Sequence, residues 1–263
     1  MGRKGAVGGP ARSLAITRSV AHTGRGRRGT VVTRWIRAVG AIALLAAGVL
    51  LHAASWQRWA GACPFPGGPE TDACNVRQDH LYDFLVVAHP WQPVGTAAEQ
   101  AGVALLMVAF ALLLAPWALL VRPGPYDTVA LFACALAYAD VGAATLRSGL
   151  SGEVVYPLVG EASFLLWFWV PTPVLVWAAV RARGWARASV VFLVLASPLV
   201  MGLSYAIGPF DANPWYEAYS GDLTAVAGLC LLVAAVVPSH AGQSPAGGGS
   251  SAGAVRSADS AVS

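Results

Sequence analysis

An all-α fold, a polytopic membrane helix bundle of six transmembrane helices with a short amphipathic helix in the first outer loop, is predicted by three observations on the sequence. Of 263 residues, 56% are hydrophobic and 11% charged, whereas a soluble domain carries about 25% charged side chains. Ten Trp stand against a single Lys, and the mean hydropathy is +0.59. Six apolar stretches between residues 35 and 238 have the length that crosses a ~30 Å hydrocarbon core. An ordinary water-soluble globule is excluded.

The predicted spans run over 35–55, 97–121, 127–147, 161–181, 188–208 and 223–238. The third is Ala-rich and holds Asp140, and the sixth is short, so a five-span count competes with six. Charge decides between them. With the N-terminus inside, six spans leave 14 basic and two acidic residues on the cytoplasmic side, against three basic and 11 acidic residues on the other. The positive-inside rule counts Lys and Arg, and it favours this arrangement, with both termini in the cytoplasm. Five spans would put either the basic N-terminal segment or the Arg181/Arg183/Arg187 loop outside.

Span one has the outline of an export signal, since Arg27 and Arg28 precede an apolar run ending in Ala53-Ala54-Ser55. Arg34 and Arg37 interrupt the approach and further spans follow, so the segment reads as an uncleaved signal anchor. Residues 1–34 are Gly-rich and basic without an acidic residue, the composition of a disordered cytoplasmic arm lying against anionic lipid. They lack the interleaved aromatics of a nucleic-acid-binding segment, so no nucleic acid partner is expected. Residues 239–263, built on Ser, Ala and Gly, read as a disordered tail. Heavy use of Ala, Gly, Arg and Val suggests a GC-rich bacterial genome and hence a bacterial inner (plasma) membrane.

Residues 56–96 form the outer cap. Cys63 and Cys74 lie there with Pro64, Pro66, Gly67, Gly68 and Pro69 between them, a turn-rich insert that can fold back on itself on the oxidising side. A Cys63–Cys74 disulfide is expected, worth about 3 kcal/mol in a loop of this size. Metal and redox pairs would want closer spacing. Asn75 and Gln78 have the spacing of an N-cap and N3 pair, Pro90 closes the segment, and Leu81, Phe84, Leu85 and Ala88 fall on one helical face. This predicts the amphipathic helix, anchored at the interface by Trp56, Trp59 and Trp91.

Two groups of residues carry possible chemistry. Asp79, His80 and Asp83 with His89 form the densest titratable group; they suit a divalent metal or acid–base work on an outer-face substrate, or equally a solvated helix face. Asp140 lies about 13 residues, roughly 20 Å, into its helix. Ala133, Ala137, Ala143 and Ala144 share its side, a small-residue strip that lets another helix approach. Trp167, Trp169, Ser204 and Tyr205 fall at comparable depth. Asp140 is thus either an ion, proton or substrate group, or an interhelical hydrogen bond to a Ser or Tyr that fixes packing.

The remaining features have local explanations. Pro171 and Pro173 are expected to bend or unwind span four, and Pro116 and Pro198 to make milder kinks. Glu99 with Thr96 reads as a capping box, and Asp222 as an N-cap of span six. Cys134 and Cys230 read as small hydrophobes, and His52 as an interfacial residue. No nucleotide, cofactor or strong catalytic motif is found, so no cofactor is expected. The sequence therefore favours a non-catalytic membrane component, sensor or accessory subunit, with the lipid bilayer and a membrane protein as partners. A small transporter or channel using Asp140 and the Pro-kinked fourth span, and an outer-face enzyme using Asp79, His80, Asp83 and His89, are the alternatives.

Overall fold

The computed structural model describes residues 19–64, 71–207 and 215–237, with side chains from Val31 onward except those of Tyr205 and Ile207. Among the described residues the chain is all-helical: α1 (Ser19–Trp59), α2 (Asp72–Arg77), α3 (Ala97–Leu119), α4 (Pro125–Ser151), α5 (Glu161–Trp169), α6 (Pro171–Arg181), α7 (Gly184–Leu195), α8 (Pro198–Ile207) and α9 (Tyr216–Val236). Five stretches are long and apolar enough to cross a membrane: Val31–Trp59, Ala97–Leu119, Pro125–Ser151, Glu161–Arg181 and Tyr216–Val236. A sixth is counted if Gly184–Leu195 and Pro198–Ser204, bent by 53°, form one broken span. The backbone of α1 is helical from Ser19, inside the segment whose composition suggests a disordered arm; residues 1–18 and the expected tail lie outside the described residues.

Helix contacts close a ring in the order α1, α3, α4, α5 with α6, α7 with α8, α9 and back to α1. Large apolar side chains such as Ile42, Val49, Leu136, Leu165 and Val180 point outward and are exposed, while the interior is built mainly on Ala and Leu. That distribution suits lipid as the surrounding solvent. Glycines set the two tightest pairs. A Cβ on Gly48 of α1 would come within 2.5 Å of the Gly221 carbonyl oxygen and the Ala225 nitrogen of α9, and one on Gly142 of α4 within 2.9 Å of Leu105 of α3. At the end of the ring opposite the Cys63–Cys74 loop, Arg37 donates to the carbonyls of Ala118 at 2.8 Å and Ala234 at 3.0 Å. One guanidinium thus satisfies orphan carbonyls at the C-terminal ends of both α3 and α9. At the same end Asp127 accepts from Gly124 N–H, from Trp177 Nε1 and from Arg181.

The prolines act in part as expected. Span four is interrupted at Val170, just before Pro171, and α6 restarts with Pro171 and Pro173 in its first turn. It still counts as one span, whereas the larger break falls at Pro198, where a milder kink is expected. Pro198 instead removes a donor in mid-span, and the freed Val194 carbonyl accepts from the Ser197 backbone at 3.1 Å and from its hydroxyl at 2.6 Å. A Ser bonding back into the preceding turn beside a Pro is a recognised way to bend a helix.

The expected helix of the first loop is replaced by two shorter turns. Thr71, not Asn75, caps α2, its Oγ1 accepting from Cys74 N–H, and Gln78 lies at the C-cap. Asp79 then accepts from Leu81 N–H and starts a 3-10 turn over His80–Tyr82. This local bond competes with helix propagation, and the chain folds back, with Gln92 N–H donating to the Leu81 carbonyl and Trp91 Nε1 to that of Asp83. Phe84 and Val87 are buried within the fold instead of lying on one face of an interfacial helix.

Two caps also differ. Thr96 makes no side-chain cap bond; Gln57 of α1 occupies it, accepting from Thr96 N–H at 2.8 Å. The last span begins at Tyr216, so Asp222 lies inside α9 and contacts His52 Nδ1 at 2.9 Å.

Candidate functional site

The helices of the ring line a cavity of about 250 Å³, and a buried charge cluster stands at its cap end. Two helical turns of α3 supply Leu105, Val108 and Leu112 to one wall, a rise of about 10 Å. Leu175 of α6 and Leu193 of α7 approach from the far end, and the α7–α8 break contributes Ala196, Pro198 and Met201. Tyr138 of α4 meets Trp167 of α5 edge to face at 6.2 Å, and both line the cavity.

Polarity enters from one side. Glu217, Ser220 and Thr224 of α9 line the cavity, at three- and four-residue spacing that places them on one helical face. Asp83 joins them from the first loop. Arg58, 3% exposed, sits between the two carboxylates, 2.7 Å from Asp83 and 3.2 Å from Glu217. Its remaining donors reach the carbonyls of Arg77 and Asp79, and its guanidinium lies 4.2 Å over the Trp59 ring. Glu217 also accepts from Trp59 Nε1 at 2.9 Å and from the Tyr216 hydroxyl. Each charge therefore has directed partners, the condition on which ions persist out of water.

The Cys63–Cys74 disulfide is present. With Trp59, Trp215 and Ala218 it forms a separate small core above the cluster, and Trp215 Nε1 donates to the Pro64 carbonyl. The disulfide thus braces the element on which Arg58 and Trp59 end and the one on which Glu217 begins.

Among the described residues, three buried side-chain polar atoms have no hydrogen-bond partner: Ser55 Oγ, Trp167 Nε1 and Ser189 Oγ. Only Trp167 of these lines the cavity. A buried donor left unmatched costs about 1–3 kcal/mol.

The residues expected from the sequence are dispersed. Asp79 caps a turn, His80 is exposed with Nδ1 3.0 Å from Asp83, and His89 is exposed. Among the described residues no three His, Cys, Asp or Glu side chains converge as a metal-ligand group. Asp83 alone of that set reaches the cavity. Asp140 accepts from the Leu158 backbone at 2.9 Å and from the Ser163 hydroxyl; it borders a shallower recess with Arg147, Tyr156 and Leu158. Of the groups at comparable depth, Trp167 faces the cavity, Trp169 is exposed, and Ser204 is exposed with its hydroxyl on the Val200 carbonyl. The Tyr205 side chain lies outside the described residues.

Glu217 and Arg58 escape the sequence reading. Their signal is the stripe Glu217, Ser220, Thr224 at the start of the last span, facing a span that ends in Arg58-Trp59. No protein-family model, no curated protein and no solved structure matches this chain, so its functional reading rests on its own residues.

Proposed function

We propose that this chain is a six-span membrane protein of the sensor or accessory type that binds a small ligand within its helix ring. The observation that carries the reading is the cavity of about 250 Å³, apolar over most of its lining and bordered by Asp83 and Glu217, the two carboxylates that Arg58 holds. Small-molecule sites have this character, an apolar enclosure with few placed polar groups. Counting α7 and α8 as one broken span gives six. The imbalance of basic residues then supports cytoplasmic termini in a bacterial plasma membrane, with residues 1–34 and 239–263 as arm and tail. The proposal is one of binding: of the first loop's titratable groups, Asp79 serves a turn, His80 a surface pair, and Asp83 the cluster at the cavity.

The test is ligand uptake by the full chain in zwitterionic nanodiscs, with 1-adamantanol as a compact neutral probe. The expected result is saturable binding that Leu112→Trp, which fills the cavity, abolishes without lowering the unfolding temperature. Wild-type protein that takes up no probe above empty nanodiscs and carries no extractable small molecule would overturn the reading. A transporter is favoured by one specific observation: the broken α7–α8 span lines the same cavity, and interrupted helices line many transport sites. Ligand flux across proteoliposomes in addition to binding would select it.

A further inference from the structure

Resting on this ligand-binding reading, we infer that the cavity takes a lipophilic amine, its ammonium group against Glu217 and Asp83 and its apolar body among the leucines below. Two carboxylates share one guanidinium, since Arg58 contacts both Asp83 and Glu217, and both carboxylate residues line the cavity whereas Arg58 does not. The cluster thus has one more carboxylate than guanidinium, and both carboxylates border the ligand space. His80 contacts the other Asp83 oxygen, but its ring is 97% exposed and does not line the cavity. Charge out of water is costly unless paired, and a ligand ammonium completes the set at two cations for two anions.

Hydrogen-bond direction leads to the same chemistry. The Ser220 hydroxyl donates to the Ala196 carbonyl and the Thr224 hydroxyl to the Ser220 carbonyl. Each hydroxyl has one proton, so what both retain for the cavity is acceptor capacity. Glu217 and Asp83 are acceptors as carboxylates. This side of the wall therefore suits a donor, and Tyr138, Trp167 and Phe168 line the same space. The rest of the lining is apolar, which selects an amine with a hydrocarbon body.

A matched pair of probes tests this: 1-adamantylamine, a cation at neutral pH, and 1-adamantanol, a neutral molecule of nearly the same shape. Binding of each to the full chain in zwitterionic nanodiscs is measured by calorimetry, with empty nanodiscs subtracted. The amine is expected to bind roughly ten- to a hundredfold more tightly, the range of a charge-assisted bond. Glu217→Gln is expected to remove most of that preference, read as the ratio of the amine and alcohol affinities of the same variant. Asp83→Asn provides the same test if Glu217→Gln does not fold, and the wild-type comparison needs no variant. Equal affinity of amine and alcohol would mean that the cluster completes its charge with a proton, and the amine inference falls while the ligand-binding reading stands. Tighter binding of the alcohol also overturns the inference. Failure of both probes to bind overturns the ligand-binding reading as well.

Discussion

Glu217 and Asp140 are both carboxylates inside long apolar helices, and the fold treats them in opposite ways. Asp140 is closed off by its own neighbourhood, because the segment after α4 returns to mid-helix and supplies the Leu158 N–H and the Ser163 hydroxyl. Those bonds fix where α5 begins. Glu217 is gathered by residues distant in sequence, Arg58 and Trp59, at 4% exposure, and it borders the central cavity. Depth along a helix is therefore a poor guide to function in this molecule. What separates a structural carboxylate from a candidate binding one is whether its partners close the space around it or leave one side facing a void.

The largest effect is expected from Arg58→Ala, which leaves two carboxylates with no cation between them. Breaking a buried pair in this way costs about 3–5 kcal/mol, read as a loss of thermal stability in detergent. Addition of Glu217→Gln should restore part of the loss, and two losses that simply add would show that Arg58 acts elsewhere. Next comes the disulfide. Cys63→Ser with Cys74→Ser opens a loop with a sequence separation of 11, for which about 3 kcal/mol is expected. The cap core of Trp59 and Trp215 should loosen first, detectable as faster hydrogen exchange at the N-terminal end of α9 than in α4. Uniform exchange along both helices would separate the disulfide from the Glu217 cluster.

The sequence makes the spans legible because lipid leaves no alternative to long apolar helices, and it makes the disulfide legible because Pro and Gly fill the loop between the cysteines. One of the two readings of Asp140, a bond to Ser, matches the contact with Ser163. Glu217 stays hidden because Asp222 resembles a helix start, which puts residues 216–222 in a loop when they are the first turns of α9. Asp222 is instead held by His52 across the α1–α9 contact. The first loop is misread for a related reason. Helical spacing of Leu81, Phe84 and Leu85 is present, but the Asp79 side chain bonds Leu81 N–H and ends the helix before that face forms. A side-chain bond to the backbone overrides periodicity in the first loop, and a side-chain pair with another helix takes the expected cap residue in α9.

Asp140→Ala should cost less than loss of Arg58, about 1–3 kcal/mol, since it leaves a backbone donor and a hydroxyl without their acceptor. The comparison with Glu217 sharpens through the second readout: probe binding in the cavity should be unchanged, and limited proteolysis should instead increase within residues 152–160. Lost probe binding with an intact loop would make Asp140 a site residue after all.

The smallest effect is expected from His80→Ala. His80 and Arg58 both contact Asp83, at 3.0 Å and 2.7 Å, yet water screens the exposed pair and not the buried one. Unfolding temperature and probe affinity should therefore match wild type at low and high salt alike. If His80→Ala instead weakens amine binding at low salt, the imidazole holds Asp83 in position, and the charge facing the cavity depends on a surface residue as well as on the buried guanidinium.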